Sequence, residues 1–112
     1  MLAVANMGDT VSFYTEILGF SEQLTTDEYS IVARDGSTIH LMKAASDEVL
    51  DCVRGHTQIY IEVTNIESLW NSVKPQKDKF KIRDLFEQPY GMREFHIEDP
   101  NGCLVFVGQP IK

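Results

Sequence analysis

The chain has 112 residues, 43% hydrophobic and 24% charged, the proportions of one soluble globular domain with room for a modest core. A net charge of −7 argues against nucleic acid, because neutralising phosphates takes clustered Lys and Arg, and it is compatible with a cationic ligand. Two widely spaced cysteines (Cys52 and Cys103), no apolar run of about 18 residues and no basic-then-apolar start lead us to expect a cytoplasmic protein with reduced thiols, neither exported nor membrane-spanning.

Met1–Ala5 is short and apolar and reads as a first strand. Asn6 is placed to cap the helix that follows, with Asp9 near the positive end of its dipole. Met7, Val11, Tyr14 and Leu18 then form one helical stripe with Ile17 beside it, and Gly19 closes the helix. Phe20–Leu24 and Glu28–Arg34 read as strands, and Asp35-Gly36 as a tight turn into a strand over Ser37–Lys43. Ala44–Gly55 is polar, has room for a short helical turn, and is the best candidate for a linker.

The pattern then restarts. Gln58–Val63 alternates, with Ile59, Ile61 and Val63 on one face and Gln58, Tyr60 and Glu62 on the other. Thr64-Asn65-Ile66-Glu67 has the form of a capping box, hydroxyl and carboxylate satisfying orphan amides reciprocally. Ile66, Trp70 and Val73 continue a helical stripe until Pro75 stops it. Phe80–Leu85 reads as a strand, Gln88-Pro89-Tyr90-Gly91 as a turn, and Arg93–Glu98 and Cys103–Val107 as a strand pair around Asp99-Pro100-Asn101-Gly102.

The chain is therefore an internal repeat. A shift of 59 positions places Met7 on Ile66, Val11 on Trp70 and Tyr14 on Val73, and a shift of 66 places Gly36 on Gly102, Ile39 on Val105, His40 on Phe106 and Leu41 on Val107. Both halves read β-α-β-β-β, which predicts an α+β domain of about eight strands, with module 1 over about 1–45, a linker over about 46–55 and module 2 over about 56–112. The period of two points Ile39, Leu41, Ile59, Ile61, Val63, Phe95, Ile97, Val105 and Val107 at the helices. The opposite face carries Thr38, His40, Met42, Gln58, Tyr60, Glu62, Lys81, Arg83, Glu94, His96, Leu104 and Phe106. Such a mixture of polar groups and aromatics lies in water or lines a concave site.

Asn6 followed by Val11-Ser12-Phe13-Tyr14-Thr15-Glu16-Ile17-Leu18-Gly19-Phe20, and Glu87-Gln88-Pro89-Tyr90-Gly91-Met92-Arg93-Glu94-Phe95 leading to Asp99-Pro100-Asn101-Gly102, resemble the vicinal oxygen chelate superfamily. That superfamily groups glyoxalase I, extradiol dioxygenases and bleomycin-resistance proteins, and the second string looks most like the bleomycin-resistance branch. The resemblance spans nearly the whole chain. It implies two βαβββ modules forming a cup-shaped, mostly antiparallel eight-stranded sheet with helices on the outer face, in a homodimer whose shared clefts bind ligand. Function does not follow from fold, since the superfamily hosts isomerases, dioxygenases, lyases and plain binders.

Catalytic members hold a divalent metal on the first and last strands of each module. The resemblance carries those positions to His40, Phe106 and Gln58, the fourth falling before Met1. Phe has no lone pair to donate, and a histidine with an amide is a poor set for Zn²⁺ or Fe²⁺, so no metal or cofactor is expected. A set drawn from His40, Glu62, Glu94 and His96 is the only substitute the face offers. His40 otherwise reads as a hydrogen-bonded pocket or interface histidine, His96 as partly exposed, His56 as a loop residue near Cys52, and Trp70 as core. Glu62 and Glu94 either complement a cation or are solvated charges. By the resemblance Tyr90 stacks on a flat ligand, in its turn a structural residue otherwise.

Three functions follow. The first is a metal-independent homodimeric binder sequestering a small, flat ligand, cationic in keeping with the acidic chain, with His40, Gln58, Tyr60, Glu62, Tyr90 and Phe106 as ligand-binding residues and no catalytic residue. The second is a metal-dependent lyase, isomerase or dioxygenase. The third is a module with no dedicated ligand.

Overall fold

The computed structural model describes residues 2–53 and 57–111. In chain order they form β1 (Leu2–Val4), α1 (Met7–Ser12) running into a π-helical turn (Phe13–Ile17), β2 (Ser21–Thr25), β3 (Tyr29–Arg34), β4 (Ser37–Lys43), α2 (Asp47–Val53), β5 (Gln58–Glu62), α3 (Ile66–Val73) ending in a 3-10 turn (Lys74–Gln76), β6 (Ile82–Gln88), β7 (Met92–Glu98) and β8 (Leu104–Pro110). Local chemistry accounts for the punctuation. Asp35 and Gly36 both take positive φ, 49° and 83°, as a two-residue hairpin matched to strand twist requires. Asn6 Oδ1 accepts from the Asp9 amide at 2.9 Å and Asn65 Oδ1 from the Ser68 amide at 3.2 Å, capping α1 and α3 at equivalent places in the two modules.

The internal repeat holds at the level of pairing. The strands order as β1-β4-β3-β2 and β5-β8-β7-β6, one parallel and two antiparallel pairings in each. Leu2 pairs with Leu41 in the first sheet and Ile61 with Val107 in the second, the same pairing under shifts of 59 and 66. The fold is the expected α+β arrangement of two βαβββ modules. Its eight strands are hydrogen-bonded as two four-stranded sheets, because β1 and β5 each spend their ladder on the last strand of their own module.

Each helix covers its own sheet, α1 on β3 and β4 and α3 on β7 and β8. The faces sort as alternation requires. Leu41, Ile61, Val63, Phe95, Ile97, Val105 and Val107 are buried, and Ile39 and Ile59 pack against them in part. Each such side chain contributes roughly 1.5–3 kcal/mol relative to exposure. Trp70 lies at the edge of this core, its ring 5.3 Å from that of Phe95. Cys103 is buried, its thiol pushed up to about 12 by burial and then by Asp99, and Cys52 is exposed and free. No helix among the described residues is long and apolar enough to cross a membrane.

The turn at Asp99–Gly102 joins the modules. Asp99 Oδ1 accepts from the Asn101 and Cys103 amides, and its Oδ2 accepts from the buried Tyr14 hydroxyl at 2.8 Å. Asn101 Oδ1 accepts from the Ala5 amide at 2.8 Å, while its Nδ2 donates to Thr10 Oγ1 at 3.0 Å. Two side chains that read as turn formers thus tie module 2 to the helix of module 1.

Two expectations are corrected. Thr64 and Glu67 form no capping box: Asn65 caps α3, the Thr64 amide and hydroxyl donate to the Asp35 carboxylate, and Glu67 pairs with Arg93. The strand expected over Phe80–Leu85 starts at Ile82, because the Phe80 amide donates to Gln76 O, and its ring packs edge-on to Phe13. The helical turn expected between the modules is present as α2, and His56 lies outside the described residues.

Candidate functional site

The non-helix face of the second sheet holds a charged group sealed under aromatics. Alternation on β7 brings Glu94 and His96 to this face, on β8 Phe106 and Gly108, and on β5 Tyr60. Between Arg83 and Phe86 the β6–β7 register slips by one residue. The bulge returns Phe86 and Gln88 to the side occupied by Arg83, where simple alternation would turn them to the core. The Arg83 guanidinium consequently lies 3.9 Å from the centre of the Phe86 ring. Phe86 meets the His96 ring edge-on at 5.4 Å, and His96 stacks on Phe106 at 3.9 Å.

Glu94 is the hub, with none of its surface exposed. Its Oε2 accepts from the Tyr60 hydroxyl at 2.9 Å and the Tyr90 hydroxyl at 2.6 Å. Its Oε1 accepts from Gln88 Nε2 at 2.9 Å and meets His96 Nε2 at 2.9 Å. Burial by itself would raise its pKa. The hydrogen bonds from His96, Tyr90, Gln88 and Tyr60 outweigh that and hold it at about 2, so the group is a carboxylate at neutral pH. The phenols respond in the opposite sense: burial and the Glu94 bond raise Tyr60, and the Glu94 bond and burial raise Tyr90, keeping both protonated. The covering is one side chain thick, for Tyr60 and Tyr90 are themselves 46% and 61% exposed.

Gly108 makes this arrangement fit. It pairs with Glu62 on one side and Glu94 on the other, and a Cβ there would lie 2.8 Å from Tyr60 Cζ and closer still to its hydroxyl. Only a residue without a side chain lets the phenol lie down across β8 to reach Glu94.

Two clefts meet at Tyr60 and Ile59. One, of about 370 Å³, is lined by Gln58, Ile59, Tyr60, Tyr90 and Phe106. The other, of about 470 Å³, lies between the sheets and is lined by residues that include His40, Thr38, Leu2 and Tyr60. A further hollow of about 340 Å³ on the helix side is walled by Phe13 and Phe80; of its polar residues Asp9, Ser12, Glu16 and Lys79 are exposed and Gln76 is half-buried.

Of the six expected ligand-binding residues, Gln58, Tyr60, Tyr90 and Phe106 share the first cleft, and His40 joins Tyr60 in the second. Glu62 is exposed and lines neither. His40 is hydrogen-bonded through Nδ1 to the Tyr29 hydroxyl. Two readings of single residues are corrected: Glu94 is not a solvated charge but fully buried, and His96 is only 9% exposed, stacked between Phe86 and Phe106. Gln88 and Phe86 were not singled out from the sequence, since only the bulge brings them to this face.

The superfamily's metal does not fit these residues. Phe106 stands at one ligand position and has no lone pair to donate, which leaves His40 at the equivalent one with only the Gln58 amide for company. Among the described residues no three or more His, Cys, Asp or Glu side chains converge to hold an ion, so His40, Glu62, Glu94 and His96 do not form a substitute set.

The model of the Glyoxalase/Bleomycin resistance protein/Dioxygenase superfamily matches residues 1–107. A bleomycin resistance protein of Geobacillus stearothermophilus is 26% identical over 99% of this chain and 94% of its own length. The copper(II)-bleomycin complex of the bleomycin-binding protein from Streptomyces verticillus superposes with a TM-score of 0.73 at 24% identity, covering 95% of this chain and 88% of that one. TnmS3, an antibiotic binding protein from Streptomyces sp. CB03234, superposes with a TM-score of 0.75 at 17% identity, covering 97% and 90%. At these identities the structural likeness is one of fold.

Proposed function

Because the chain belongs to the Glyoxalase/Bleomycin resistance protein/Dioxygenase superfamily, we propose that it is a metal-independent binding protein that sequesters a small, flat, cationic molecule. Its curated relatives are bleomycin resistance proteins, which favours binding over turnover. The observation that carries the reading is the cleft of Gln58, Ile59, Tyr60, Tyr90 and Phe106 over the buried Glu94 carboxylate. Its aromatic walls accept a flat ring, and the carboxylate beneath favours a cation. The donor set at the superfamily's metal positions supports metal independence, since Phe106 cannot ligate and Gln58 offers His40 only an amide partner. We further propose that the protein is a cytoplasmic homodimer of single-domain chains. The exposed apolar side chains of Leu24 and Met42, outside that cleft, support the dimer.

Calorimetric titration with metal-free and copper-loaded bleomycin tests this reading. Binding in the micromolar range or tighter is expected, with Tyr90→Ala weakening it about fivefold or more through lost stacking. No binding below the high-micromolar range counts against sequestration of such molecules. Metal analysis of protein purified without chelators accompanies it: a stoichiometric divalent ion released by His40→Ala would replace the binder with a metal-dependent lyase, isomerase or dioxygenase.

A further inference from the structure

Resting on the reading of the Tyr60–Tyr90–Phe106 cleft as the binding site, the geometry points to the chemistry of the ligand's polar edge. We infer that Glu94 never meets the ligand but locks Tyr60 and Tyr90 as hydrogen-bond acceptors, so that the cleft selects a flat aromatic bearing N–H donors, such as an aryl amidine, over an equally cationic ring that lacks them.

The argument is one of counting hydrogens and lone pairs. An ionised carboxylate accepts and does not donate, and it offers about four lone-pair sites. Tyr60, Tyr90, Gln88 and His96 occupy them all. Each phenol has one hydrogen, and Glu94 takes it. Both rings line the cleft and remain exposed, whereas Glu94 is wholly covered and is not part of the cleft's lining. What the phenols present to a ligand is therefore lone pairs, made more negative by the charge-assisted bonds behind them. Two acceptors whose hydrogens are turned away reward N–H groups and repel carboxylates and carbonyls. The Phe106 ring in the same cleft supplies the apolar wall for the flat part of the molecule. Gln88 and His96 are positioning residues here: by filling Oε1 they leave Oε2 to the two tyrosines.

Three naphthalenes test the inference by calorimetry: 2-naphthamidine, N,N,N-trimethyl-2-naphthylammonium and 2-naphthoate. The first two are flat cations on the same ring, and only the first has N–H donors. The amidine should bind at least about tenfold tighter than the trimethylammonium compound, and the naphthoate weakest of all. Tyr60→Phe and Tyr90→Phe, made singly, keep both ring faces and should each weaken the amidine about fivefold while leaving the trimethylammonium compound within about twofold. Glu94→Gln should bring the ratio of the two cations towards one, because an amide both donates and accepts and frees a phenol hydrogen. If the two cations bind wild type equally, the inference falls and the binding cleft stands. If the amidine binds the Phe variants as tightly as wild type or tighter, the carboxylate itself meets the ligand and the inference falls. If no probe binds at millimolar concentration, the cleft is not the binding site and both fall together.

Discussion

Gly108→Ala isolates the device that seats Tyr60. The backbone at Gly108 has no positive φ, so alanine brings no conformational strain of its own. It would gain roughly 0.5–1 kcal/mol from the lower entropy of the unfolded chain. Against this, its Cβ would lie 2.8 Å from Tyr60 Cζ, where ordinary contact begins near 3.4 Å, and nearer still to the hydroxyl. The tyrosine is the free end of a half-exposed side chain, so it yields before the strand does. The shift breaks the 2.9 Å bond to Glu94 Oε2. A hydrogen bond to a charged group contributes about 1.5–3 kcal/mol, and the lower end applies because Tyr60 is half in water. The expected net loss is about 0.5–1 kcal/mol, a fall of a few degrees in Tm. A double-mutant cycle sharpens the test: Tyr60→Phe should cost about 1.5 kcal/mol in wild type and close to nothing in Gly108→Ala, since the bond is already gone. Urea denaturation followed by Trp70 fluorescence reads all four corners. Additive costs, with Tyr60→Phe equally harmful in both backgrounds, would show that Gly108 does not seat the phenol.

Two further outcomes follow from buried polar groups. Glu94 titrates at about 2 in the folded protein against an ordinary 4.5, so the unfolded chain takes up the proton first as pH falls. Its contribution is full above about pH 4.5 and disappears on the way to pH 2, so the stability difference between wild type and Glu94→Gln should shrink over that interval in a series of urea titrations. Asp99 works in the opposite sense: burial raises its pKa, so its contribution falls as pH rises through the folded value, and being present in both proteins it cancels from the difference. A difference that is flat with pH would mean Glu94 is not held ionised by its four partners. Ser30 is fully buried and its hydroxyl has no partner among the described residues, so Ser30→Ala should leave stability unchanged or raise it by up to about 1 kcal/mol. A loss larger than that in the denaturation midpoint would show the hydroxyl to be satisfied in solution.

Much of the chain was legible where the deciding forces act over a few residues. Asp35-Gly36 and Asp99–Gly102 form turns because their backbones reach φ values other residues avoid, and Gly36 and Gly102, matched by the repeat, adopt 83° and 81°. Asn6 caps as expected. At Thr64–Glu67 the motif failed, because the distant partners Asp35 and Arg93 competed for the same side chains and Asn65 offered an equally good cap. The face bearing Tyr60, Glu94, His96 and Phe106 followed from alternation, but that a charge on it lies under cover did not.

What the amino-acid order determined unaided is the duplicated βαβββ pattern, its turns and the sorting of side chains between two faces, since period, cap and turn preference belong to short stretches of backbone. Tertiary structure alone decided that Tyr60, Gln88 and Tyr90, on β5, on β6 and in the β6–β7 turn, meet over one carboxylate. It also decided that a bulge turns Phe86 towards His96 and that the empty position at Gly108 admits a phenol. Those outcomes depend on the register between strands and on the space left above them, quantities that no single segment contains.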